Sequence, residues 1–168
     1  MKKLKIRLAD KSEISKAFSL LKGAAIWLKE KNIDYWQNWI NPSDLYSNWI
    51  KEGFDSNQFY YVIYDSRVIA MFRLQWNDEL FWGVQDDNAG YIHSFTTDRI
   101  YQGQGIGIKI LQMIEDLCRQ NNKQYLRLDC GVLIQGLCNY YEKFGFYSVG
   151  EIDLHGERLR LYEKRLFN

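Results

Sequence analysis

Three glycines at alternate positions stand in the run Gln102-Gly103-Gln104-Gly105-Ile106-Gly107, and they are the residues of this chain best suited to holding a ligand. The run lies between an apolar, strand-like stretch, Tyr91 to Thr97, and an amphipathic, helix-like one. A residue without a Cβ lets the backbone approach a bound group closely, and the first turn of a following helix offers unpaired N–H donors and the positive end of its dipole. The chemistry open to such a loop is the cradling of an anion, a pyrophosphate above all. The plain alternative is a tight turn with no ligand, although a turn needs one glycine and this loop has three. A dinucleotide site is a further reading, because Gly103-x-Gly105-x-Gly107 resembles part of G-x-G-x-x-G and Asp129 ends the next strand about twenty residues on. The third glycine is misplaced for that motif, and the 39 residues after Asp129 are too few to complete a doubly wound domain. No Gly-Lys-Ser/Thr follows the loop, which excludes a Walker-type site.

The elements that must position this loop can be read from periodicity. Lys3 to Leu8 alternates as a first strand, and Lys11 to Lys31 reads as a helix with Ser12 as its N-cap. Pro42 then separates two short helical pieces, Asp34 to Ile40 and Ser43 to Lys51, with Gly53 closing the second. Phe59 to Tyr64 and Val68 to Trp76, joined at Asp65-Ser66-Arg67, read as an antiparallel hairpin. A polar connection through Asp86-Asp87-Asn88 leads to the strand Tyr91 to Thr97. After the glycines, Gly107, Ile110, Leu111, Ile114, Leu117 and Cys118 share one face of a helix, with Lys109, Gln112, Glu115 and Arg119 opposite. Tyr125 to Cys130 is a strand, Gln135 to Lys143 a helix stopped by Gly145, and Phe146 to Ile152 and Arg158 to Lys164 are final strands around His155-Gly156. This order predicts an α/β fold with a central mixed sheet flanked by helices.

A second motif, Asn139-Tyr140-Tyr141-Glu142-Lys143-Phe144-Gly145-Phe146, gives the glycine loop a family context. Together the two resemble the GCN5-related N-acetyltransferase (GNAT) superfamily, where a Gln/Arg-x-x-Gly-x-Gly/Ala loop precedes one helix and a Tyr-Glu-Lys-x-Gly-Phe segment ends the next. The 33 residues between Gly107 and Tyr141 suit the intervening helix, strand and helix. The resemblance runs from Tyr91 to about Val149 and is only topological before Phe59. It implies one domain over 1–168, with acceptor-side helices at about 11–52 and an acetyl-CoA-binding core at about 59–149.

What the resemblance implies for chemistry is the transfer of an acetyl group from acetyl-CoA to a primary amine, by direct attack on the thioester. In such enzymes the loop's backbone amides hold the coenzyme A pyrophosphate, which assigns Gln102, Gly103, Gln104, Gly105, Ile106 and Gly107 here. Backbone groups of Phe95, Thr96 and Thr97 are the partners implied for the pantetheine arm. Tyr141 stands where the family carries the acid that protonates the departing thiolate; packing is its alternative role. The asparagine often found seven residues earlier is replaced by Ile134, leaving Gln135 or Asn139 as substitutes. His93 is the first candidate for the base, since it lies on the strand leading to the thioester and an imidazole is the side chain suited to proton exchange near neutral pH. Glu79, Asp78 and Asp129 are alternatives, and a structural histidine is the plain reading of His93. Cys130 as an acyl-carrying nucleophile is a weaker idea, because direct transfer needs no covalent intermediate.

Composition bounds the rest. The chain has 168 residues, 26% charged and 46% hydrophobic, with a net charge of +1, so nothing draws it to nucleic acid or an acidic membrane. Its aromatic fraction is 16%. Trp27, Trp36, Trp39 and Trp49 crowd the first third, either as core or as the wall of a substrate pocket. Cys118, Cys130 and Cys138 have no metal-ligand spacing and read as reduced thiols in a cytoplasmic protein. The start, MKKLKIRLADKSE, lacks an apolar h-region and no window approaches a membrane span, so neither secretion nor insertion is expected. The expected partners are acetyl-CoA and a small-molecule or peptide amine, with no metal, and a homodimer is compatible with the resemblance. The rival functions are a noncatalytic acyl-CoA-binding sensor of the same fold and, more remotely, a nicotinamide-linked oxidoreductase.

Overall fold

The computed structural model describes residues 3–86 and 88–167. Asp87, part of the polar connection anticipated at Asp86-Asp87-Asn88, lies outside the described residues. Among the described residues seven strands form one mixed sheet: β1 (Lys5–Leu8), β2 (Phe59–Tyr64), β3 (Arg67–Gln75), β4 (Ala89–Thr97), β5 (Tyr125–Gly131), β6 (Tyr147–Leu154) and β7 (Glu157–Arg165). Their order is β1-β2-β3-β4-β5-β7-β6. Among the described residues five α-helices accompany them: α1 (Ile14–Glu30), α2 (Asp44–Asp55), α3 (Glu79–Trp82), α4 (Ile106–Gln120) and α5 (Gln135–Lys143).

The chain divides into two compact units, the first comprising the described residues of Met1–Arg73 with Ser94–Gly107. Here β1, β2 and β3 pair antiparallel. The turn between β2 and β3 has positive φ at both Asp65 (49°) and Ser66 (63°), the geometry that matches the twist of a two-residue hairpin. Helices α1 and α2 bury Ala17, Leu21, Ala25, Ile50 and Phe54 against Phe59, Tyr61 and Met71 of the strands. Burial of such apolar area is the dominant stabilising term. Three of the four early tryptophans belong to this packing, Trp39 buried and Trp36 and Trp49 packed against it. Trp27 differs: it lines a cavity of about 670 Å³ together with Ser19, Gly23, Arg67, Thr97 and Arg99. The Arg99 guanidinium lies 4.8 Å from the centroid of its ring.

Two local expectations change in this unit. The turn that precedes the first helix is capped by Asp10, whose Oδ1 accepts from the Ser12 backbone N–H at 2.8 Å and from the Ser12 hydroxyl at 2.5 Å, so Ser12 is not a cap. A 3-10 turn at Lys11–Glu13 then leads into α1. Of the two short pieces around Pro42, the first is only a 3-10 turn at Gln37–Trp39, and the second continues through Gly53 to Asp55.

The second unit comprises Leu74–His93 and the described residues of Ile108–Asn168. Strand β4 pairs parallel to β5 from Ala89↔Tyr125 to Tyr91↔Arg127, while β5–β7 and β7–β6 are antiparallel. His155 and Gly156, with φ of 50° and 80°, make the closing turn. On α4, Ile110, Leu111, Ile114 and Cys118 are fully buried as the spacing predicts. Glu115, assigned to the polar face, is buried as well. Lys164 of β7 and Arg119 pair with its carboxylate, which keeps its charge neutralised in the interior. Among the described residues no helix is long and apolar enough to cross a membrane.

Candidate active site

His93 is the hub of a buried cluster in the second unit. Its Nε2 lies 2.6 Å from Asp78 Oδ2, and its Nδ1 lies 3.4 Å from Asp129 Oδ1. The three side chains are 7% (His93), 2% (Asp78) and 11% (Asp129) exposed. The Phe81 ring, 4.4 Å from the imidazole centroid, covers one face of the histidine. Two carboxylates off opposite nitrogens of one ring do not converge on a point, so the cluster is not shaped to hold a metal ion. Among the described residues no group of three or more His, Cys, Asp or Glu is arranged for a metal.

Each member reaches the cluster through a different element. His93 follows the paired segment of β4, and Asp129 follows that of β5, so the parallel ladder sets their separation. Asp78 is the N-cap of α3, where its Oδ1 accepts from the Phe81 N–H at 3.4 Å. Burial pushes the Asp129 carboxyl up to about 6; the charges of Asp78 and Glu157 add to this, and the charge of His93 opposes it. Glu79, the fourth candidate base, is exposed and outside the cluster.

Tyr141 sits on α5 in the same unit, nearly buried. Edge-on contacts with Tyr140 (5.5 Å) and Phe146 (5.8 Å) and a tilted one with Tyr162 (6.4 Å) fix its ring. Asn139, two residues earlier, is exposed, and its Oδ1 accepts from Gln135 Nε2 at 2.7 Å. The substitutes considered for the asparagine replaced by Ile134 therefore bond to one another. Cys130 is buried with its Sγ 3.4 Å from Cys138 Sγ, and burial pushes its thiol up, which makes it a packed side chain and not a nucleophile.

The remaining candidates lie in the first unit. Gly103 and Gly105 have φ of 74° and 69°, and no heavy atom stands within 4 Å of where a Cβ would be. The residues from Gln102 to Gly105 are exposed and lead directly into α4 at Ile106. Such a loop leaves the N–H groups of the first helical turn open to an anion. Gln104 Nε2 donates to the Ile100 carbonyl at 3.1 Å, tying the loop to the preceding 3-10 turn. Gly107 is not part of the loop proper; it lies within α4. On β4, Thr96 is buried and its hydroxyl donates to the Ser94 carbonyl at 3.0 Å, while Phe95 and Thr97 are half-buried. Ser94 itself has φ of 53°, a left-handed conformation costing of order 1–3 kcal/mol for a residue with a side chain. This kink interrupts the period-two alternation through which His93, Phe95 and Thr97 would share a face.

A glycine loop opening a helix after a kinked strand, with a second helix ending in Tyr-Glu-Lys-Phe-Gly-Phe, is the arrangement of an acetyltransferase fold. Residues 25–146 match the sequence model of the Acetyltransferase (GNAT) family, and the chain belongs to that family. It is 26% identical over 153 residues to the uncharacterized N-acetyltransferase YesJ of Bacillus subtilis (strain 168), covering 88% of this chain and 82% of that protein. Its fold is similar to that of a GNAT-family acetyltransferase from Listeria monocytogenes 4b F2365, with a TM-score of 0.77 at 20% identity over 96% of this chain and 94% of the other. It is similar also to yncA of Salmonella typhimurium, whose structure was solved with its cofactor acetyl-CoA. There the TM-score is 0.68 at 15% identity, covering 99% and 95% of the two chains.

Proposed function

We propose that the protein is an acetyl-CoA-dependent N-acetyltransferase that moves an acetyl group to a primary amine, of a small molecule or a peptide, by direct attack on the thioester. The observation that carries the catalytic part of this reading is the buried Asp78–His93–Asp129 cluster. An acyl-CoA sensor of the same fold would have no use for sealed charges of this kind, which are costly unless paired and concentrate at catalytic centres.

Acetyl-CoA, when bound, supplies an acetyl group already activated as a thioester. The open backbone from Gln102 to Ile106 fits its pyrophosphate, because both positive-φ glycines leave clear space above the helix start. The N-terminal end of α4, including Gly107, contributes the helix dipole. Backbone groups of Phe95, Thr96 and Thr97 would pair with the pantetheine arm, and Asn139 is a further contact. The chain must then move two protons. The cluster around His93 takes up the one that the acceptor ammonium loses before its nitrogen attacks, and the Tyr141 hydroxyl gives one to the departing sulfur and is restored by the second proton shed from the new amide nitrogen. Packing on three sides holds the Tyr141 ring in one place, which favours a defined proton donor.

Thermal melting with acetyl-CoA and with NAD tests the ligand, since a compound that binds only the folded state raises stability by about 2.7 kcal/mol at a hundred times its Kd. Acetyl-CoA should raise the melting temperature and NAD should not; the reverse would defeat the reading. Release of coenzyme A thiol across an amine panel tests catalysis. A protein stabilised by acetyl-CoA that releases no thiol with any amine is a sensor.

A further inference from the structure

We infer that Asp129 is the catalytic residue that takes the proton from the acceptor amine, with His93 and Asp78 as positioning residues behind it. The inference rests on the N-acetyltransferase reading and assigns one role within it.

The argument is an accounting of polar atoms. Asp78 has both oxygens engaged, Oδ2 with His93 and Oδ1 with the Phe81 N–H. His93 has a carboxylate oxygen off each ring nitrogen. A neutral imidazole carries one N–H and one lone pair, so either tautomer would set its lone pair against a carboxylate. Both ring nitrogens are thus turned toward carboxylates, and neither faces an incoming amine. Asp129 faces His93 through Oδ1 alone. Its Oδ2 has no partner among the described residues, and it is the most accessible of the three side chains. Any further proton enters the cluster at that oxygen.

The electrostatics suit this role. The charged groups that act on Asp129 are His93 on β4, Asp78 just before α3 and Glu157 at the start of β7, with the Cys130 thiol beside it on β5. Two of these are anions. With burial they hold the carboxyl at about 6, close to neutral pH, where a base combines availability with driving force. In the transfer, one N–H bond of the acceptor ammonium breaks and its proton goes to Asp129 Oδ2. The freed electron pair forms the bond to the acyl carbon, the carbon–sulfur pair leaves on sulfur and takes the Tyr141 proton, and the second proton shed by the new amide nitrogen restores the Tyr141 hydroxyl. His93, set between the two carboxylates, fixes the Asp129 carboxyl and lowers its value against the pull of burial.

The test is the pH profile of kcat/KM for acetyl-CoA with spermidine and with tryptamine as acceptors, in the wild type, Asp129→Asn, His93→Gln and Asp78→Asn. The wild type should lose activity below about pH 6. Asp129→Asn should lose a hundredfold or more in kcat and lose that acid limb. His93→Gln should keep the limb and shift it upward, because the histidine charge lowers the Asp129 value; Asp78→Asn should shift it downward. If His93 is the base, the pattern inverts: His93→Gln abolishes the limb and Asp129→Asn only moves it, which overturns the proposal. Should Asp129→Asn fail to fold, Asp129→Ala with added formate substitutes for it. Rescue of turnover supports the role and its absence defeats it. A wild type inactive on both amines defeats the N-acetyltransferase reading, and this proposal with it; an active wild type whose limb survives Asp129→Asn defeats this proposal alone.

Discussion

The Phe59 ring occupies the space that a side chain at Gly53 would need. A Cβ at Gly53 would lie 2.3 Å from Phe59 Cε2 and 2.9 Å from Arg73 Nε. Gly53 is thus inside α2 because α2 must lie close against β2. The Arg73 guanidinium, 3.9 Å from the Trp49 ring centroid and bonded to the Gln58 side chain, is locked in the same contact.

Alanine at Gly53 should therefore destabilise the protein, although a glycine-to-alanine change inside a helix ordinarily stabilises by about 1 kcal/mol. The ring is held by stacking on Phe54 at 4.8 Å and by burial, so it has little room to retreat. Overpacking of this kind costs about 1–3 kcal/mol. Chemical denaturation of Gly53→Ala checks the sign, and a gain in stability would show that α2 can move away from β2 without loss.

Stability should also depend on pH through Asp129. Its ordinary value is 3.8 and its folded value is about 6. Between these two, the folded chain keeps a proton that the unfolded chain has released, so stability falls as pH rises through the window. Below about pH 4 the effect is absent, and above about pH 6 the full cost stands, at most about 3 kcal/mol for two pKa units. Asp129→Asn removes the titration and part of the cost, so its melting temperature should gain on the wild type by several degrees between pH 4 and pH 7. A difference that does not vary with pH would mean that Asp129 keeps an ordinary carboxylate value.

Much of this was legible because the signals are local. The 3-4 spacing after Gly107 gave α4, and the turn read at Asp65-Ser66-Arg67 between two β-rich runs gave the hairpin, with Arg67 already in β3. What was hidden depends on distant partners or on segments too short to show a period. Glu115 reads as a surface residue on its own helix and is buried because Lys164, 49 residues away, meets it. Helix α3 has four residues, too few for any periodicity, and so the capping role that aims Asp78 at His93 left only a weak trace, an aspartate before Glu79. Sequence nominated His93, Asp78 and Asp129 separately as bases. It could not show that they are one unit, because their grouping depends on the register of β4 with β5.

The cysteines should be inert in the native state. Burial pushes the Cys118 thiol up to about 12, and Cys130 is raised too, by burial and by its contact with Cys138. Thiolate is the reactive form, and at pH 8 a thiol at 12 is ionised to about one part in ten thousand. A neutral disulfide reagent should therefore titrate no thiols in the folded protein and three after unfolding in denaturant. Rapid labelling of even one thiol without denaturant would place that side chain at the surface.

Gly105 separates the demands of the fold from those of the ligand. Its φ of 69° is left-handed, and nothing stands within 4 Å of where a side chain would go. Alanine there meets no clash and bears only the backbone penalty, about 1–2 kcal/mol. The protein should remain folded, with a melting temperature a few degrees lower. Relief of that penalty would turn the backbone out of its present conformation and so re-aim the N–H groups at the head of α4. The rise in melting temperature given by acetyl-CoA should consequently shrink well beyond the loss seen without ligand. Gly23, in α1 and equally free of neighbours at its Cβ position, provides the control. Gly23→Ala should leave the acetyl-CoA response intact and, by helix propensity, raise stability by about 1 kcal/mol. If Gly105→Ala and Gly23→Ala respond alike to acetyl-CoA, the pyrophosphate is not held by this loop.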